Sequence, residues 1–441
     1  MSYRQEQKEL LLNFLERTFY SSWRDHGKKE PWKNNYGSLE LYLNAKCELN
    51  CKYCYIAKFG DQYFPDAKVQ EDSQILKNLN ILLKWLSKNQ FKPKIEIFGG
   101  DIFMRDIGFN VLDEIAKFSY ENRMPICNTI SIPSNMNFIR SEKLTQRMHA
   151  CLRNLQRVGI RANVSASIDG KYMDDNRPNL AGKNIRDDDF YHKVFLFAKQ
   201  YGYGFHPMIY SDNIDKWQKN FLWFQDMFSK YGIDWRNIYL LEIRNIEWTA
   251  EQCVQFGQFL EFLVDWTWNK CEKSYDVFRK FIFEQKGFNM LASWLSTVGR
   301  GIGCSIQSTM CLRVGDLTFA PCHRLHYKFM ETGTFLVEND EIVDLDVKNI
   351  ELFLAVNSVK VENMPYCETC IIKNLCNGGC LGSQYEETGD LFTPIPSVCR
   401  LEFAKISSLI KAFKKIGVYD EIKGIVGQEK KVNLDALEGL L

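Results

Sequence analysis

Hydrophobic and polar positions follow two alternating periods between residue 38 and about residue 245. Short apolar and β-branched runs, typical of strands, occur at 38–44, 94–100, 128–135, 161–170, 204–211 and 237–245. Stretches with an apolar residue every three or four positions predict helices at 72–89, 110–122, 141–159, 188–202 and 215–231. About six successive β-α units predict a parallel sheet covered by helices. No G-x-G-x-x-G follows the first strand, so an open or closed α/β barrel fits better than a Rossmann sheet.

The rest of the chain divides into four further segments. An amphipathic helix at 5–19 precedes a polar connector, and Thr249 and Gln252 have the spacing of a capping box before a long helical region. Strand and helix signals thin out from about residue 300 to Cys399, and helix returns after it. We therefore expect an N-terminal helix and connector (1–37), a barrel (38–248), a helical bridge (249–300), a cysteine-rich domain (301–400) and a C-terminal helical extension (401–441).

Composition excludes several function classes. The 56 Lys and Arg residues balance 55 Asp and Glu residues, so the overall charge does not favour nucleic acid or a membrane surface. No apolar run approaches the roughly 18–20 residues of a spanning helix. The first twenty residues lack the apolar region and cleavage site of a signal peptide. We expect a cytoplasmic protein with neither a nucleic-acid nor a membrane partner.

The fifteen cysteines are distributed unevenly. Three lie within residues 47–54, eight within residues 304–399, and four are scattered in apolar or helical surroundings, where we expect small buried hydrophobes. A reducing compartment favours metal binding or redox chemistry over a disulfide framework. The scattered four are Cys127, Cys151, Cys253 and Cys271.

The first cluster, Cys47, Cys51 and Cys54, follows the first predicted strand, where β/α barrels carry their sites. Structural zinc and ordinary Fe–S clusters take four protein ligands. The nearest preceding histidine, His26, is remote in sequence. Three thiolates can hold three irons of a cubane and leave the fourth open to a ligand that is not protein. A zinc knuckle or three unrelated core thiols is the alternative.

The spacing C-x3-C-x2-C, with Tyr53 before the last cysteine, resembles the signature of the radical S-adenosylmethionine (SAM) enzymes. The resemblance implies that SAM chelates the open iron through its amino and carboxylate groups. It also implies that an electron from the cluster cleaves the sulfonium, and that the resulting 5′-deoxyadenosyl radical abstracts hydrogen from a substrate.

Three later segments resemble further motifs of the same family. "FGGD" (98–101) resembles its GGE-type turn, with Asp101 where Glu is usual and Ile102 where Pro is usual, so the carboxylate reaches one methylene less far. "IPSNMN" (132–137) resembles the TNG segment, and "SASIDGKYMDDNRPNLAG" (165–182) resembles a signature of peptide-modifying members. The resemblance implies SAM or ligand contacts from Tyr53, Gly99, Gly100, Asp101, Ser134, Asn135, Ser167, Asp169 and Arg177.

The eight later cysteines have the spacing C-x6-C-x10-C, a gap, and then C-x2-C-x5-C-x3-C-x18-C. Eight thiols make two sets of four, and zinc is the alternative because Cys₄ knuckles look alike. The layout resembles the SPASM domain, which carries two auxiliary [4Fe–4S] clusters, and "GDLTFAPCHR" (315–324) resembles its turn before a cysteine. By that resemblance one cluster takes Cys304, Cys311, Cys322 and Cys380, and the other takes Cys367, Cys370, Cys376 and Cys399.

Together the resemblances imply a partial (β/α)6 TIM-type barrel followed by a small cysteine-rich SPASM domain, with three [4Fe–4S] clusters and S-adenosyl-L-methionine. The implied function is modification of a peptide or small protein, as in the maturation of ribosomally made precursors. Auxiliary clusters can accept an electron from a substrate radical, which favours an oxidative crosslink over epimerisation. The alternatives are formylglycine formation on a sulfatase and, from another class, a non-catalytic metal-bearing binding module.

His323 follows directly after the third SPASM-type cysteine, where anaerobic sulfatase-maturating enzymes carry an aspartate as general base. An imidazole can also accept a proton, and the alternative is a histidine hydrogen-bonded near a cluster. Many peptide-maturing members carry an N-terminal winged-helix recognition domain, which the about 37 residues before the first strand are too few to form. We therefore expect the barrel, the helices or a separate peptide-recognition protein to hold the substrate, and a flavodoxin or ferredoxin to supply electrons.

Overall fold

The computed structural model describes residues 3–19, 37–284, 305–430 and 432–438. Strands and helices alternate through the first half of the chain. In chain order the strands are β1 Ser38–Tyr42, β2 Lys94–Phe98, β3 Thr129–Ser134, β4 Arg161–Ala166, β5 Gly204–Phe205, β6 Met208–Ile209, β7 Leu241–Glu242, β8 Thr309–Arg313, β9 Thr318–Ala320, β10 Gly333–Glu338 and β11 Glu341–Val347.

The helices show the amphipathic spacing that the sequence predicts in this half and continue to the end of the described chain. They are α1 Tyr3–Phe19, α2 Tyr55–Tyr63, α3 Asp72–Lys88, α4 Asp106–Glu121, α5 Glu142–Arg157, α6 Asp188–Tyr201, α7 Trp217–Tyr231, α8 Ala250–Lys270, α9 Tyr275–Arg279, α10 Ile350–Ser358, α11 Lys373–Cys376, α12 Leu381–Thr388, α13 Pro396–Lys415, α14 Tyr419–Lys430 and α15 Leu434–Glu438.

The described residues form two compact units, each built from several chain segments. The first unit comprises Met1–Ser167, Asn179–Val194 and Ser305–Asn357, and the second comprises Ile168–Pro178, Phe195–Cys304 and Ser358–Leu441. Because both units interleave distant segments, they do not test the sequential domain boundaries predicted above. Those boundaries stay predictions.

The first unit contains a large, mostly parallel sheet. Its strands lie in the order β11-β10-β9-β8-β1-β2-β3-β4. Strand β1 pairs in parallel with β2 and with β8, and β2–β3 and β3–β4 are also parallel, whereas β8 to β11 form antiparallel pairs. The predicted α/β architecture with a parallel sheet is therefore confirmed.

The register of the parallel strands brings their carboxyl ends to one edge of the sheet. Tyr42, the last residue of β1, lies beside Phe98 of β2 and Arg313 of β8, and Ser134 of β3 lies beside Ala166 of β4. The loops that leave these ends therefore start from a common edge, as sites in parallel α/β proteins do. The predicted cysteine loop follows β1 at this edge.

The sequence analysis missed the strands of residues 309–347. This region lies in the part of the chain where strand signals thin out, yet β8 pairs directly with the central strand β1. All five residues of β8 are buried, so the strand has no alternation of apolar and polar positions for a sequence pattern to detect.

The second unit is mainly helical, with a two-stranded parallel pair, β6 and β7. The predicted strand at 204–211 is interrupted at Pro207, which lacks the N–H that a ladder requires. Helices α8 and α13 pack closely, because Gly257 leaves room where a Cβ atom would lie 2.2 Å from the Ser408 hydroxyl oxygen. Among the described helices, none has both the length and the apolar character of a membrane span.

Candidate functional site

The cysteine loop leaves the carboxyl end of β1, and its three thiols are half-buried. Cys54 is the N-cap of α2, and its backbone N–H donates to the Cys51 carbonyl at 3.0 Å. The Leu49 N–H points at the Cys47 sulfur at 3.4 Å. Burial raises the pKa of Cys47 to about 12, although the backbone N–H groups of Leu49 and Asp101 lower it. Burial thus disfavours a free thiolate at this position.

Two glycines bring the end of β2 against the backbone of this loop. The Gly100 N–H donates to the Asn44 carbonyl at 2.8 Å. A Cβ atom on Gly99, which has φ of +130°, would lie 2.3 Å from the Asn44 carbonyl oxygen, and one on Gly100 would lie 2.0 Å from that of Lys46. No side chain fits at either position without moving the loop. The predicted glycine turn therefore supports the segment just before Cys47.

Asp101 joins the end of β2 to the end of β3. Its carboxylate accepts hydrogen bonds from the Phe103 N–H at 2.9 Å, the Ser134 hydroxyl at 3.0 Å and the Asn135 N–H at 2.7 Å. Burial and the nearby charge of Glu48 raise the pKa of Asp101 to about 6, while these hydrogen bonds lower it. Three of the predicted ligand-contact residues thus form one hydrogen-bonded unit.

Glu48, inside the cysteine loop, extends this unit and was not predicted from the sequence. Its Oε1 accepts from the Asn135 side chain at 2.7 Å and from the Asn137 side chain at 3.0 Å. The Ser167 N–H donates to the Ser134 carbonyl at 2.7 Å, so the loop after β4 also reaches the end of β3. The Glu48 bonds thus tie the cysteine loop to the end of β3, and the Ser167 bond ties the end of β3 to β4. Tyr53 is half-buried and lies between two of the cysteines in sequence.

His323 is held by a buried carboxylate of β1. Its ring Nδ1 and its backbone N–H both lie 3.0 Å from Oε2 of Glu40, whose side chain is 6% exposed. The ring stacks on Phe98 with centroids 4.3 Å apart and 9° between the planes. An Nδ1–H donated to Glu40 leaves Nε2 as the basic nitrogen of the ring. Sequence analysis proposed His323 but not Glu40.

Cys311 and Cys322 belong to the same unit. Cys311 lies beside Glu40 across the β1–β8 pair, and the neighbouring Cys322 contributes to a raised pKa of its thiol, after burial and Glu40. Nε2 of the fully buried His326 lies 3.2 Å from the Cys311 sulfur. Burial lowers the pKa of His326 well below its usual value. The predicted partner Cys304 lies outside the described residues.

In the second unit, Asp169 and Arg177 form a buried ion pair at 3.0 Å. Asp169 also accepts from the Met208 N–H at 2.9 Å, and its carbonyl accepts from the Asn220 side chain at 2.7 Å. Burial and the Arg177 charge lower the pKa of His206 beside them to about 4. The guanidinium of Arg177, a predicted ligand contact, pairs here with the aspartate of its own segment.

The remaining predicted thiols line one cavity of the second unit, with a volume of about 80 Å³. Arg244 also lines it, beside Gly378 and Gly379, and sequence analysis did not identify this residue. Burial raises the pKa of Cys399 to about 11. The cysteines of this cavity are Cys367, Cys370, Cys376, Cys380 and Cys399.

Two sets of thiols can serve as metal ligands: three half-buried thiols on one loop and five thiols around one cavity. Thiolates bind both zinc and the irons of iron–sulfur clusters. Within the described ranges, no three Cys, His, Asp or Glu side chains converge on a point that one metal ion could occupy.

No protein-family model matches the chain, and no curated protein matches it. Solved structures do. Native anSMEcpe with bound AdoMet and the Cp18Cys peptide is 15% identical, over 88% of this chain and 99% of that chain, with a TM-score of 0.56. Native anSMEcpe with bound AdoMet gives the same identity and TM-score over 88% and 100%. SuiB of Streptococcus suis bound to S-adenosylmethionine is 15% identical over 89% and 87%, with a TM-score of 0.48. The likeness to anSMEcpe shows that this chain shares the mixed α/β fold of that protein.

Proposed function

We propose that this protein is a radical SAM enzyme that modifies a peptide or small protein, with a partial (β/α)6 barrel and a SPASM-type cysteine-rich part. One observation carries the proposal: the C-x3-C-x2-C loop lies at the carboxyl edge of the parallel sheet and is fastened there on two sides. Gly99 and Gly100 support its backbone, and Glu48 ties it to the end of β3. The backbone that carries the three thiols is thus fixed at this edge.

In this proposal Cys47, Cys51 and Cys54 hold a [4Fe–4S] cluster whose open iron takes AdoMet. When bound, the pair supplies a 5′-deoxyadenosyl radical that abstracts hydrogen from the substrate. Asp101 keeps the ends of β2 and β3 in register through its hydrogen bonds to Ser134 and Asn135. The backbone and amide groups of this edge would orient the amino acid part of AdoMet.

The auxiliary sites are proposed from the second cysteine field. The cavity of the second unit supports one [4Fe–4S] cluster on Cys367, Cys370, Cys376 and Cys399. A second auxiliary cluster would use Cys304, Cys311, Cys322 and Cys380. The fifth cavity cysteine, Cys380, can be assigned to either set by substitution and iron analysis.

The substrate class follows from the fold and from the chemistry of the site. The anSMEcpe structure with the Cp18Cys peptide holds AdoMet and a peptide together, and we propose the same two classes of ligand for this chain. His323, fixed by Glu40 with Nε2 as its basic nitrogen, is proposed as the base that accepts a substrate proton. Auxiliary clusters suit an oxidative product such as a crosslink, and a flavodoxin or ferredoxin in the cytoplasm would supply the electrons.

Iron analysis of anaerobically purified protein tests the proposal. We expect about twelve irons per chain, falling to about eight when Cys47, Cys51 and Cys54 are all changed to Ala, from the stoichiometry of three cubanes. The wild-type protein should produce 5′-deoxyadenosine from AdoMet with dithionite, and the triple variant should not. The same substitutions at Cys127, Cys151 and Cys253 are the matched control and should leave the iron content unchanged. Stoichiometric zinc without iron would contradict the proposal.

Formylglycine formation on a sulfatase is the second candidate. It is favoured by the shared fold of anSMEcpe, an anaerobic sulfatase-maturating enzyme. The histidine at position 323, where those enzymes carry an aspartate, argues against it. Mass spectrometry of a sulfatase peptide incubated with the enzyme, AdoMet and dithionite distinguishes the two. Conversion of its cysteine or serine to formylglycine would replace the peptide-crosslinking proposal.

A further inference from the structure

Four charged side chains form a buried network in the second unit. Nη2 of Arg244 lies 2.6 Å from Oε1 of Glu242 and also donates to Oε1 of Glu402. Nζ of Lys405 lies 3.6 Å from Glu242 and 3.7 Å from Glu402. The two carboxylates and Lys405 are at most 5% exposed, and Arg244 is 21% exposed. Two cations and two carboxylates cancel in charge, as burial demands.

The network meets the cysteine cavity at one member. Of the described side chains that line this cavity, Arg244 is one and Lys405 is not. Nη1 of Arg244 lies 3.8 Å from the place where a Cβ atom on Gly379 would be, directly before Cys380. The carboxylate of Glu402 lies behind the same guanidinium through its hydrogen bond. A charge of each sign is thus fixed next to the thiols.

Cys376 lies on the wall of the same cavity as Arg244. The other cation that lines the cavity, Lys373, donates to the Glu368 carbonyl and is partly exposed to solvent, which screens its charge. Arg400, a cation beside Cys399, is exposed to solvent, so Arg244 and Glu402 are the charges held in low-dielectric surroundings at this cavity.

We propose that Arg244 and Glu402 set the reduction potential of the cluster held by Cys367, Cys370, Cys376 and Cys399, with opposite signs. Reduction adds a negative charge to the cluster, which the Arg244 guanidinium stabilises and the Glu402 carboxylate destabilises. Arg244 thus raises the potential, and Glu402 lowers it. This inference rests on the proposed function, because it needs a cluster at that cavity.

An EPR-monitored redox titration of the full, anaerobically purified chain tests the inference. The signal of the cavity cluster is the one that disappears in the Cys367→Ala/Cys370→Ala variant. We expect Arg244→Met to shift its midpoint potential downward and the near-isosteric Glu402→Gln to shift it upward. Lys405→Met is the matched control, since it removes a cation from the same two carboxylates without changing the cavity wall, and its downward shift should be smaller.

Midpoints of Arg244→Met and Glu402→Gln that coincide with the wild-type value, or that move in the same direction, overturn the inference while leaving the cluster in place. If Arg244→Met fails to fold, Glu402→Gln still tests the sign, and Arg244→Lys, which keeps the charge, should stay near the wild-type midpoint. If the Cys367→Ala/Cys370→Ala variant keeps its full iron content, no cluster is bound at the cavity. That result refutes the cluster assignment of the proposed function, and the inference with it.

Discussion

Gly100→Ala is the sharpest test of how the cysteine loop is held. A Cβ atom at this position would lie 2.0 Å from the Lys46 carbonyl oxygen, 2.5 Å from its carbonyl carbon and 2.9 Å from the Ala45 carbonyl oxygen. Real Cβ contacts are not shorter than 3.0 Å, so the backbone beside Cys47 must move by about 1 Å. Overpacking of this kind costs about 1–3 kcal/mol of unfolding free energy.

The assay is iron content together with the urea midpoint of the full chain. We expect Gly100→Ala to lose about four of about twelve irons, because one cubane depends on this loop, and to unfold at lower urea. Gly424→Ala in α14 is the control: a Cβ there would have no atom within 4 Å, and Ala stabilises a helix by about 0.5–1 kcal/mol over Gly. A Gly100→Ala protein with full iron content and an unchanged midpoint would refute the reasoning.

Three further predictions concern single side chains. Asp101→Asn should lower the unfolding free energy by about 1–3 kcal/mol in urea titrations, because an amide N–H would face the Asn135 N–H. An unchanged unfolding free energy would contradict the hydrogen bonds of the Asp101 carboxylate with Ser134 and Asn135. Burial alone would raise the pKa of Glu242, but the cations beside it, Lys405 foremost, lower it from 4.5 to about 2. Stability from this carboxylate is therefore present above pH 4.5 and lost as pH falls toward 2, and Glu242→Gln should flatten that part of an acid-unfolding curve. The His323→Ala variant should retain its iron and still produce 5′-deoxyadenosine, but it should form the peptide product about 10²–10⁴-fold more slowly. An unchanged rate of product formation would show that His323 is not the base.

The sequence predicted β1 to β4 as strands of a parallel sheet because each strand and helix there has its own periodicity, which is a local property. It did not predict that β8 pairs with β1, because that pairing joins residues far apart in the chain and β8 is buried on both faces. Single-sequence periodicity contains no information on such pairings. The fold class could therefore be predicted from the sequence, whereas the complete sheet could not.

For the candidate site, the cysteines and glycines could be predicted from their spacing, because ligand sets and tight turns depend on residues close in sequence. The carboxylates that contact the site could not be predicted. Glu40 contacts His323 across 283 positions, and Glu48 reaches Asn135 across 87. Most Asp and Glu residues are exposed, and nothing in the local sequence distinguishes the few that are buried.

By itself, the sequence determined the number and order of the thiols, the glycines beside the first set and the α/β alternation. Only the tertiary structure decided which charges stand next to those thiols: Glu48 at the cysteine loop, Glu40 behind His323, and Arg244 at the five-cysteine cavity. The physical reason is that electrostatic surroundings depend on distance and burial in space, and parallel strands and helices bring together residues that no local pattern relates.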